Sequence, residues 1–274
     1  MRKMHCRLIG IAFATVLLGV YPALAQTAPP LGAAASFSVL GGSTVTNTGP
    51  TIVTGDLGVS PGSAITGFPP GSVVGGSIHT TDALAAQAQF DATIAYNNLA
   101  AQACTTTFGV PTDLGGMTLL PGVYCFPSTS AAVTGTLTLN ANGNPNAVFV
   151  FKTVSTLTIN SGSSVVVING GSNCNVFWQV GSSATLFTTS TVPGTIIALT
   201  NITLQTGANL SGRAIARNAA VNLDSNNVGG CASGVVIPPG GGAAGGPTLD
   251  SYGLAILLLM LAAAGVFAVN RFSS

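Results

Sequence analysis

The chain has 274 residues, of which 47% are hydrophobic and only 5% are charged, whereas ordinary globular domains carry about 25% charged residues. The formal net charge is +1, and glutamate is absent. Disordered chains combine few apolar residues with high charge, and nucleic-acid binders carry a basic stripe, so this composition excludes both classes. It favours an uncharged partner, which the protein contacts through its hydroxyl, amide and methyl groups.

The N-terminus has the pattern of a targeting segment. Arg2, Lys3 and Arg7 precede an apolar run over residues 8–20, and Ala23-Leu24-Ala25 supplies a small-x-small cleavage site. These features predict a secretory signal peptide over residues 1–25 and therefore an exported protein.

Residues 26–234 contain an internal repeat, in which aliphatic residues enclose a small polar block. The repeated segments are Ile159–Val165, Leu186–Val192, Leu204–Leu210 and the shorter Leu223–Val228. Val192, Leu210 and Val228 are spaced 18 residues apart, whereas the step of 27 from Val165 to Val192 implies an insertion. Short β-prone runs alternate with the blocks, for example Val176–Val180. A period near 18 with two or three short strands predicts stacked coils of a parallel β-helix.

One segment departs from this pattern and predicts a helix. Residues 81–103 contain no glycine or proline and are rich in alanine and glutamine. Thr81 is the expected N-cap. An apolar stripe that includes Phe90, Ile94 and Leu99 is expected to lie along the side of the β-helix.

Four cysteines follow the signal peptide, namely Cys104, Cys125, Cys174 and Cys231. In an exported chain they allow three disulfide pairings, and order along the chain favours Cys104–Cys125 with Cys174–Cys231. Zinc ligation is the alternative, but no pair has the short spacing that zinc sites use.

The C-terminus indicates a second targeting device. Residues 235–246 form a Pro/Gly linker, and Tyr252–Val269 is an apolar run of 18 residues followed by Arg271. That run is long enough for a marginal membrane span, with a buried core helix as the alternative. Pro247-Thr248-Leu249 with the run resembles a bacterial sorting signal, which implies that residues 247–274 hold the protein in the membrane until it is processed for the cell surface.

Several stretches in chain order resemble the microbial ice-binding proteins built on a discontinuous β-helix with one flanking α-helix. The resemblance covers about residues 31–231 and rests on Ala35–Leu40, Thr54–Pro61, Asp113–Leu119, Pro121–Tyr124, Asn175–Val180 and Leu210–Ala214. It implies a right-handed parallel β-helix of triangular cross-section, whose coils are not stacked in simple chain order. It also implies a monomer whose partner is the ice crystal surface.

The family often carries the pattern T-(A/G)-x-(T/N) on a flat ice-binding face. Thr48–Thr51 and Thr206–Asn209 match it fully, Thr188–Thr191 has threonine at the small position, and Ser161–Ser164 has serine at both ends. The resemblance therefore implies that one face carries Thr48, Thr51, Ser161, Ser164, Thr188, Thr191, Thr206 and Asn209.

The residue pattern predicts neither an enzyme nor a bound cofactor or metal. Glycan-degrading β-helices use paired carboxylates or bound calcium, whereas the five aspartates between residues 26 and 234 are isolated in sequence and His79 has no triad partner at a recognisable spacing. The alternative function is a surface adhesin or structural β-helix that binds cells or glycans, with a glycan-degrading enzyme as a more distant third.

Overall fold

The computed structural model describes residues 26–231. They contain one α-helix, two short 3₁₀ helices and a series of parallel strands. The α-helix α1 spans Ala83–Ala101, and the 3₁₀ helices span Gly32–Ala35 and Asn173–Asn175. The strands in chain order are β1 Phe37–Gly41, β2 Thr44–Thr48, β3 Ile52–Thr54, β4 Asp56–Val59, β5 Ala64–Thr66, β6 Ser72–Val74, β7 Ile78–Thr80, β8 Thr106–Thr107, β9 Thr112–Asp113, β10 Thr118–Leu119, β11 Gly122–Phe126, β12 Ala131–Val133, β13 Thr136–Asn140, β14 Phe149–Thr153, β15 Leu157–Ile159, β16 Ser164–Ile168, β17 Val176–Val180, β18 Ala184–Leu186, β19 Thr191–Ala198, β20 Ile202–Leu204, β21 Asn209–Ala216, β22 Val221–Asp224 and β23 Asn227–Gly229.

The strands form three faces of a parallel β-helix. The covered face runs β7-β4-β1-β21-β19-β17-β14-β11-β8, and the threonine face runs β5-β2-β22-β20-β18-β15-β12-β9. The third face runs β6-β3-β23-β21-β19-β16-β13-β10, so that β19 and β21 contribute to two faces. This architecture confirms the predicted β-helix with a flanking helix.

The repeat spacing and the stacking order are also confirmed. Val192 lies in register with Leu210, and Leu210 with Val228, on neighbouring coils. The insertion after Val165 lies between β16 and β17 and contains the second 3₁₀ helix. Stacking does not follow chain order, because β1 lies between β4 and β21 while β2 and β3 pair with β22 and β23.

The interior consists of the inward-facing residues of every strand. Aliphatic side chains form most of it, and an aromatic stack of Tyr124, Phe151 and Trp178 crosses three neighbouring coils with ring centroids 5.3 and 4.2 Å apart. The indole Nε1 of Trp178 donates a hydrogen bond to the Pro193 carbonyl at 3.1 Å, so the buried ring has its polar group satisfied.

The helix lies where it was predicted and Leu99 is buried against the sheet as expected, but the expected burial of Phe90 and Ile94 and the expected Thr81 cap are wrong. The contact face is alanine-rich and comprises Ala85, Ala88, Ala92, Ala95 and Leu99. Phe90 and Ile94 are 61% and 43% exposed, because only small side chains let the helix axis approach a flat sheet closely. Asp82 is the N-cap, since its carboxylate accepts from Ala85 N at 2.8 Å, whereas Thr81 takes a positive φ of 52°.

Two disulfides and one buried arginine link parts of this domain that are apart in sequence. The disulfides are Cys104–Cys125 and Cys174–Cys231, as chain order predicted. The buried guanidinium of Arg213 donates to the carbonyls of Ala35 and Cys231, so it joins the first and last described parts of the chain. Burial lowers the pKa of Arg213 to about 10, which leaves it charged at neutral pH.

The predicted targeting segments lie outside the described residues. These are the signal peptide, the linker and the apolar run Tyr252–Val269. Within residues 26–231, no helix combines the length and apolar character that a membrane crossing requires.

The helix contact gives the first testable prediction. Ala92→Leu should lower the free energy of unfolding by about 1 to 3 kcal/mol, because the larger side chain overpacks the contact with the covered face. The matched change Phe90→Gln should alter it by less than about 0.5 kcal/mol, since that side chain is exposed. Urea unfolding followed by circular dichroism measures both, and a larger loss for the Phe90 variant would contradict this account of the packing.

Candidate functional site

The α-helix decides which faces of the β-helix are open to a partner. Its alanine face packs on the outward side chains of the covered face, among them Leu40, Val150 and Ile197. Among the described strands, α1 packs on β1, β4, β7, β14 and β17, all of which belong to the covered face. The threonine face and the third face are thus the two sheet faces that α1 leaves open.

The threonine face carries one central side chain per coil. In stacking order this central row is Asp113, Ala132, Thr158, Thr185, Thr203, Asn222, Thr46 and Thr66. Neighbouring members are direct partners in parallel pairing, so their side chains repeat at the strand spacing of about 4.8 Å. The row is a straight, closely spaced line of mostly threonine side chains.

Local sequence explains why these side chains face outward. Each threonine stands between residues that point inward, as Thr158 does between Leu157 and Ile159, both of which are buried. Successive side chains of a strand alternate between its two faces, so a buried pair fixes the residue between them on the surface. The repeated polar blocks do not predict this row, although tripeptides such as Leu-Thr-Ile and Ile-Thr-Leu carry the period-two signal that identifies it.

The repeated polar blocks form turns at the corner between the threonine face and the third face. Ser163 N, Ser190 N and Ala208 N each donate to the carbonyl three residues earlier, at 2.9 to 3.1 Å. The residue before each donor, Gly162, Thr189 or Gly207, has a φ between 58° and 70°. The small second residue of the T-(A/G)-x-(T/N) pattern thus supplies a left-handed turn conformation that glycine adopts without steric cost.

The structure places the predicted site residues on two sides of this corner rather than on one face. Thr48, Ser161, Thr188 and Thr206, the first residues of the blocks, are exposed at the edge of the threonine face. Ser164, Thr191 and Asn209, the last residues, pair in register on the third face. The expectation of a single face is wrong because the turn between first and last residues redirects the chain.

Thr51 is a second correction, because its side chain is 0% exposed and so lies inside the fold rather than on a face. Its hydroxyl oxygen accepts a hydrogen bond from Asn226 N at 3.1 Å. Ile52, the following residue, occupies the position that pairs with Asn227 in the row of Asn209 and Thr191. The block that contains Pro50 is therefore displaced by one residue from the others.

Hydrogen bonds between coils orient several polar side chains on the two open faces. Thr46 Oγ1 donates to Asn222 Oδ1 at 2.8 Å, and Thr206 Oγ1 donates to Asp224 Oδ2 at 2.6 Å. On the third face, Asn227 Nδ2 donates to Asn209 Oδ1 at 3.0 Å. The hydrogen bonds from Thr206 and then Ser225 lower the pKa of Asp224, which stays ionised at neutral pH.

The other titratable side chains have structural partners rather than a reactive arrangement. Asp91 accepts from Ala33 N and Asp113 from Gly115 N, while His79 lies 2.7 Å from the helix-capping Asp82. Among residues 26–231, no group of three metal-ligating side chains comes together. These side chains therefore serve turns, the helix cap and contacts of α1.

Fold and surface together define a class of protein: a discontinuous β-helix with a helix on one face and a flat, hydroxyl-lined face left open. A family model described as Ice-binding-like matches residues 39–229, and the chain belongs to this family.

Individual relatives agree with this assignment. An ice-binding protein of Nostoc sp. (strain HG1) is 56% identical over 199 residues, which is 72% of each chain. The crystal structure of an ice-binding protein from an Antarctic biological consortium has a TM-score of 0.70 and 43% identity, and the match covers 81% of this chain and 96% of that one. The ice-binding protein of Antarctomyces psychrotrophicus gives 0.71 and 41%, with 74% and 98% covered.

Thr189 gives a prediction about the corner turns. Thr189 is β-branched and lies in the left-handed region, which costs about 1 to 2 kcal/mol of folding free energy relative to glycine. Glycine offsets part of this gain, because it has more conformational entropy in the unfolded chain. Thr189→Gly should therefore raise the free energy of unfolding by about 0.5 to 1 kcal/mol. The reciprocal Gly207→Thr should lower it, since an added Cβ there meets only Thr189 Cγ2 at 3.7 Å and the cost is one of backbone conformation. Thermal and urea unfolding of both variants measures the difference, and an equal sign for the two would contradict the turn assignment.

Proposed function

We propose that the protein binds ice and limits its growth and recrystallisation, and that the threonine face with its adjoining corner is the adsorbing surface. The observation that carries this proposal is the central row, in which the outward side chains of stacked coils are mostly threonine and are held in register. Membership of the Ice-binding-like family supports the same function over an adhesin.

Stiffness is the first physical requirement for binding a crystal lattice. Many weak contacts add together only if the surface holds its shape as they form, because each newly ordered side chain costs entropy. Parallel hydrogen-bond ladders and a close-packed interior give the β-helix this stiffness. The threonine face thus starts close to the geometry that it has when bound.

Threonine suits the second requirement, which is to order water without holding it too tightly. Its branched Cβ restricts χ1, so little rotamer freedom is lost on adsorption. Its methyl group disfavours bulk water while its hydroxyl donates and accepts hydrogen bonds. Rows of such groups arrange surface water into a layer that joins the crystal, and each ordered water costs little.

The third face is less suited to the same task. Its first outward row is Ser72, Ile52, Asn227, Asn209, Thr191, Ser164 and Thr136, which mixes amides, hydroxyls and an isoleucine. Asn209 and Asn227 bond to each other, so part of their hydrogen-bonding capacity is already used. Ser164, Thr191 and Asn209 therefore stay predicted ice contacts at the margin of the site, where the corner meets the third face.

A pair of matched variants tests which face adsorbs. Thr185→Tyr with Thr203→Tyr should abolish most of the thermal hysteresis of the purified protein, because two bulky rings interrupt the central row on neighbouring coils. Thr191→Tyr with Asn209→Tyr makes the same change on neighbouring coils of the third face and should retain most of it. Nanolitre osmometry measures the hysteresis, and circular dichroism shows that both variants are folded.

The outcome separates the alternatives. Loss of activity only in the third-face variant would move the site to that face, and full activity in both would exclude the two faces as proposed. A wild-type protein that neither shapes nor slows a growing ice crystal would overturn the function itself.

The two disulfides support export, because such bonds persist in oxidising compartments outside the cytosol. We therefore include in the proposal that the protein works outside the cell, with residues 1–25 as its export signal and residues 247–274 holding it in the membrane before release or attachment to the surface.

A further inference from the structure

Two side chains near the middle of the threonine face carry neither a hydroxyl nor a methyl group. Asn222 stands in the central row, and Asp224 follows it by two residues on the same strand, β22. Both face outward, because Val221 and Leu223 of that strand are buried. Asp224 is partly exposed. It is one of two aspartates on this face, and the other, Asp113, stands at the end of the central row, so a charge near the middle of the row needs an explanation.

Both side chains take up the hydrogens of neighbouring hydroxyl groups. Asp224 accepts from Thr206 Oγ1 at 2.6 Å through Oδ2 and from Ser225 Oγ at 3.0 Å through Oδ1. Asn222 accepts from Thr46 Oγ1 at 2.8 Å, and its Nδ2 donates to Thr203 Oγ1 at 3.4 Å. The two residues thereby connect the coils of β2, β22 and β20 through their side chains.

A hydroxyl group has one hydrogen to donate, so donating it within the protein fixes what the group offers to water. Thr46 and Thr206 present only acceptor lone pairs outward, whereas Thr203 receives a hydrogen bond and keeps its own hydrogen for water. Within residues 26–231, the hydroxyls of Thr158 and Thr185 have no hydrogen-bond partner and are free to rotate. One part of the face is therefore ordered in advance and another part is adaptable.

We infer that Asn222 and Asp224 are positioning residues, which set the order of donors and acceptors that the threonine face presents to the water of an ice lattice. This inference rests on the proposed function. It predicts that these two side chains strengthen adsorption by orienting neighbouring hydroxyl groups, and that those hydroxyl groups are the principal contacts with the crystal.

The charge of Asp224 makes the inference testable by pH. The groups that face this carboxylate are the uncharged Thr206, Ser225 and Thr48, and their hydrogen bonds lower its pKa. The arrangement is thus fully present at neutral pH and persists below the usual titration range of aspartate. Once protonated, the carboxyl group carries a hydrogen of its own, so one of the two hydroxyls must turn its hydrogen outward.

The experiment compares Asp224→Asn with Asp91→Asn, which removes the same charge on the helix, away from the threonine face. The amide of the first variant accepts only one of the two hydroxyl hydrogens. We expect the concentration needed to arrest ice recrystallisation to rise about two- to fivefold at pH 7, the effect of a single hydrogen bond. Asn222→Ala should give a similar rise, and Asp91→Asn should match the wild type.

The pH profile provides the readout that a purely structural role would not change. Between pH 7 and pH 2, the wild type and Asp91→Asn should approach the weaker activity of Asp224→Asn, and the difference should close only at the acid end because the pKa of Asp224 is lowered. Asp113 also has a lowered pKa, but it titrates in all three proteins and cancels in the comparison. Circular dichroism at each pH shows that the proteins remain folded.

The results distinguish this inference from the proposed function. One result would overturn only the positioning role: Asp224→Asn and Asn222→Ala arrest recrystallisation at the wild-type concentration and with the wild-type pH profile, while the Thr185 and Thr203 double variant is inactive. The threonine face would then remain the proposed adsorbing surface. If that double variant stays active, the face itself is wrong.

Discussion

Strand register is the constraint on which the rest of this structure depends. Each coil places aliphatic residues inward and a polar residue between them outward, as Ile202, Thr203 and Leu204 show. Parallel pairing then repeats that choice from coil to coil, so that the interior and the outer row are two results of one alignment. A slip of one residue would bury hydroxyls and expose leucines together. The free energy gained by burying apolar side chains therefore also keeps the central row in register.

The two open faces show how one fold can hold different surfaces at its edges. On both sides of the corner the side chains repeat once per coil, yet the threonine face repeats mainly a single residue type and the third face does not. Regularity of the backbone comes from the fold, whereas regularity of the chemistry depends on which residue stands at each outward position. The corner turns connect the threonine face to the third face, and they mark the boundary between the two kinds of surface.

The sequence carries most of the architecture because the β-helix is periodic. The spacing of Val192, Leu210 and Val228 predicts stacked coils, and the lack of glycine and proline predicts the helix. The contact face of the helix could not be read in the same way, since Phe90 and Ile94 suggest burial while geometry at the sheet favours alanine.

The site was predicted less well than the fold. The four-residue blocks predict a site because they are polar and repeated, but they lie at a corner, and the displacement at Pro50 places Thr51 inside the fold. The central row consists mostly of single threonines that follow a buried apolar residue, a weaker signal that becomes plain only when the strands are aligned. Hydrogen bonds such as that between Thr206 and Asp224 join residues 18 apart and need coordinates to be seen.

Discontinuous stacking has a consequence for how the chain reaches its native state. Strand β1 lies against β21, and Arg213 binds the carbonyl of Ala35 across 178 residues of sequence. The opening strands can pair locally, β1 with β4 and β2 with β5, but the other edges of β1 and β2 have no partner until β21 and β22 have been made. Closing so long a loop is slow relative to local pairing. Completion of the coil that contains β1 therefore comes late in folding, after the local strand pairs of the domain have formed.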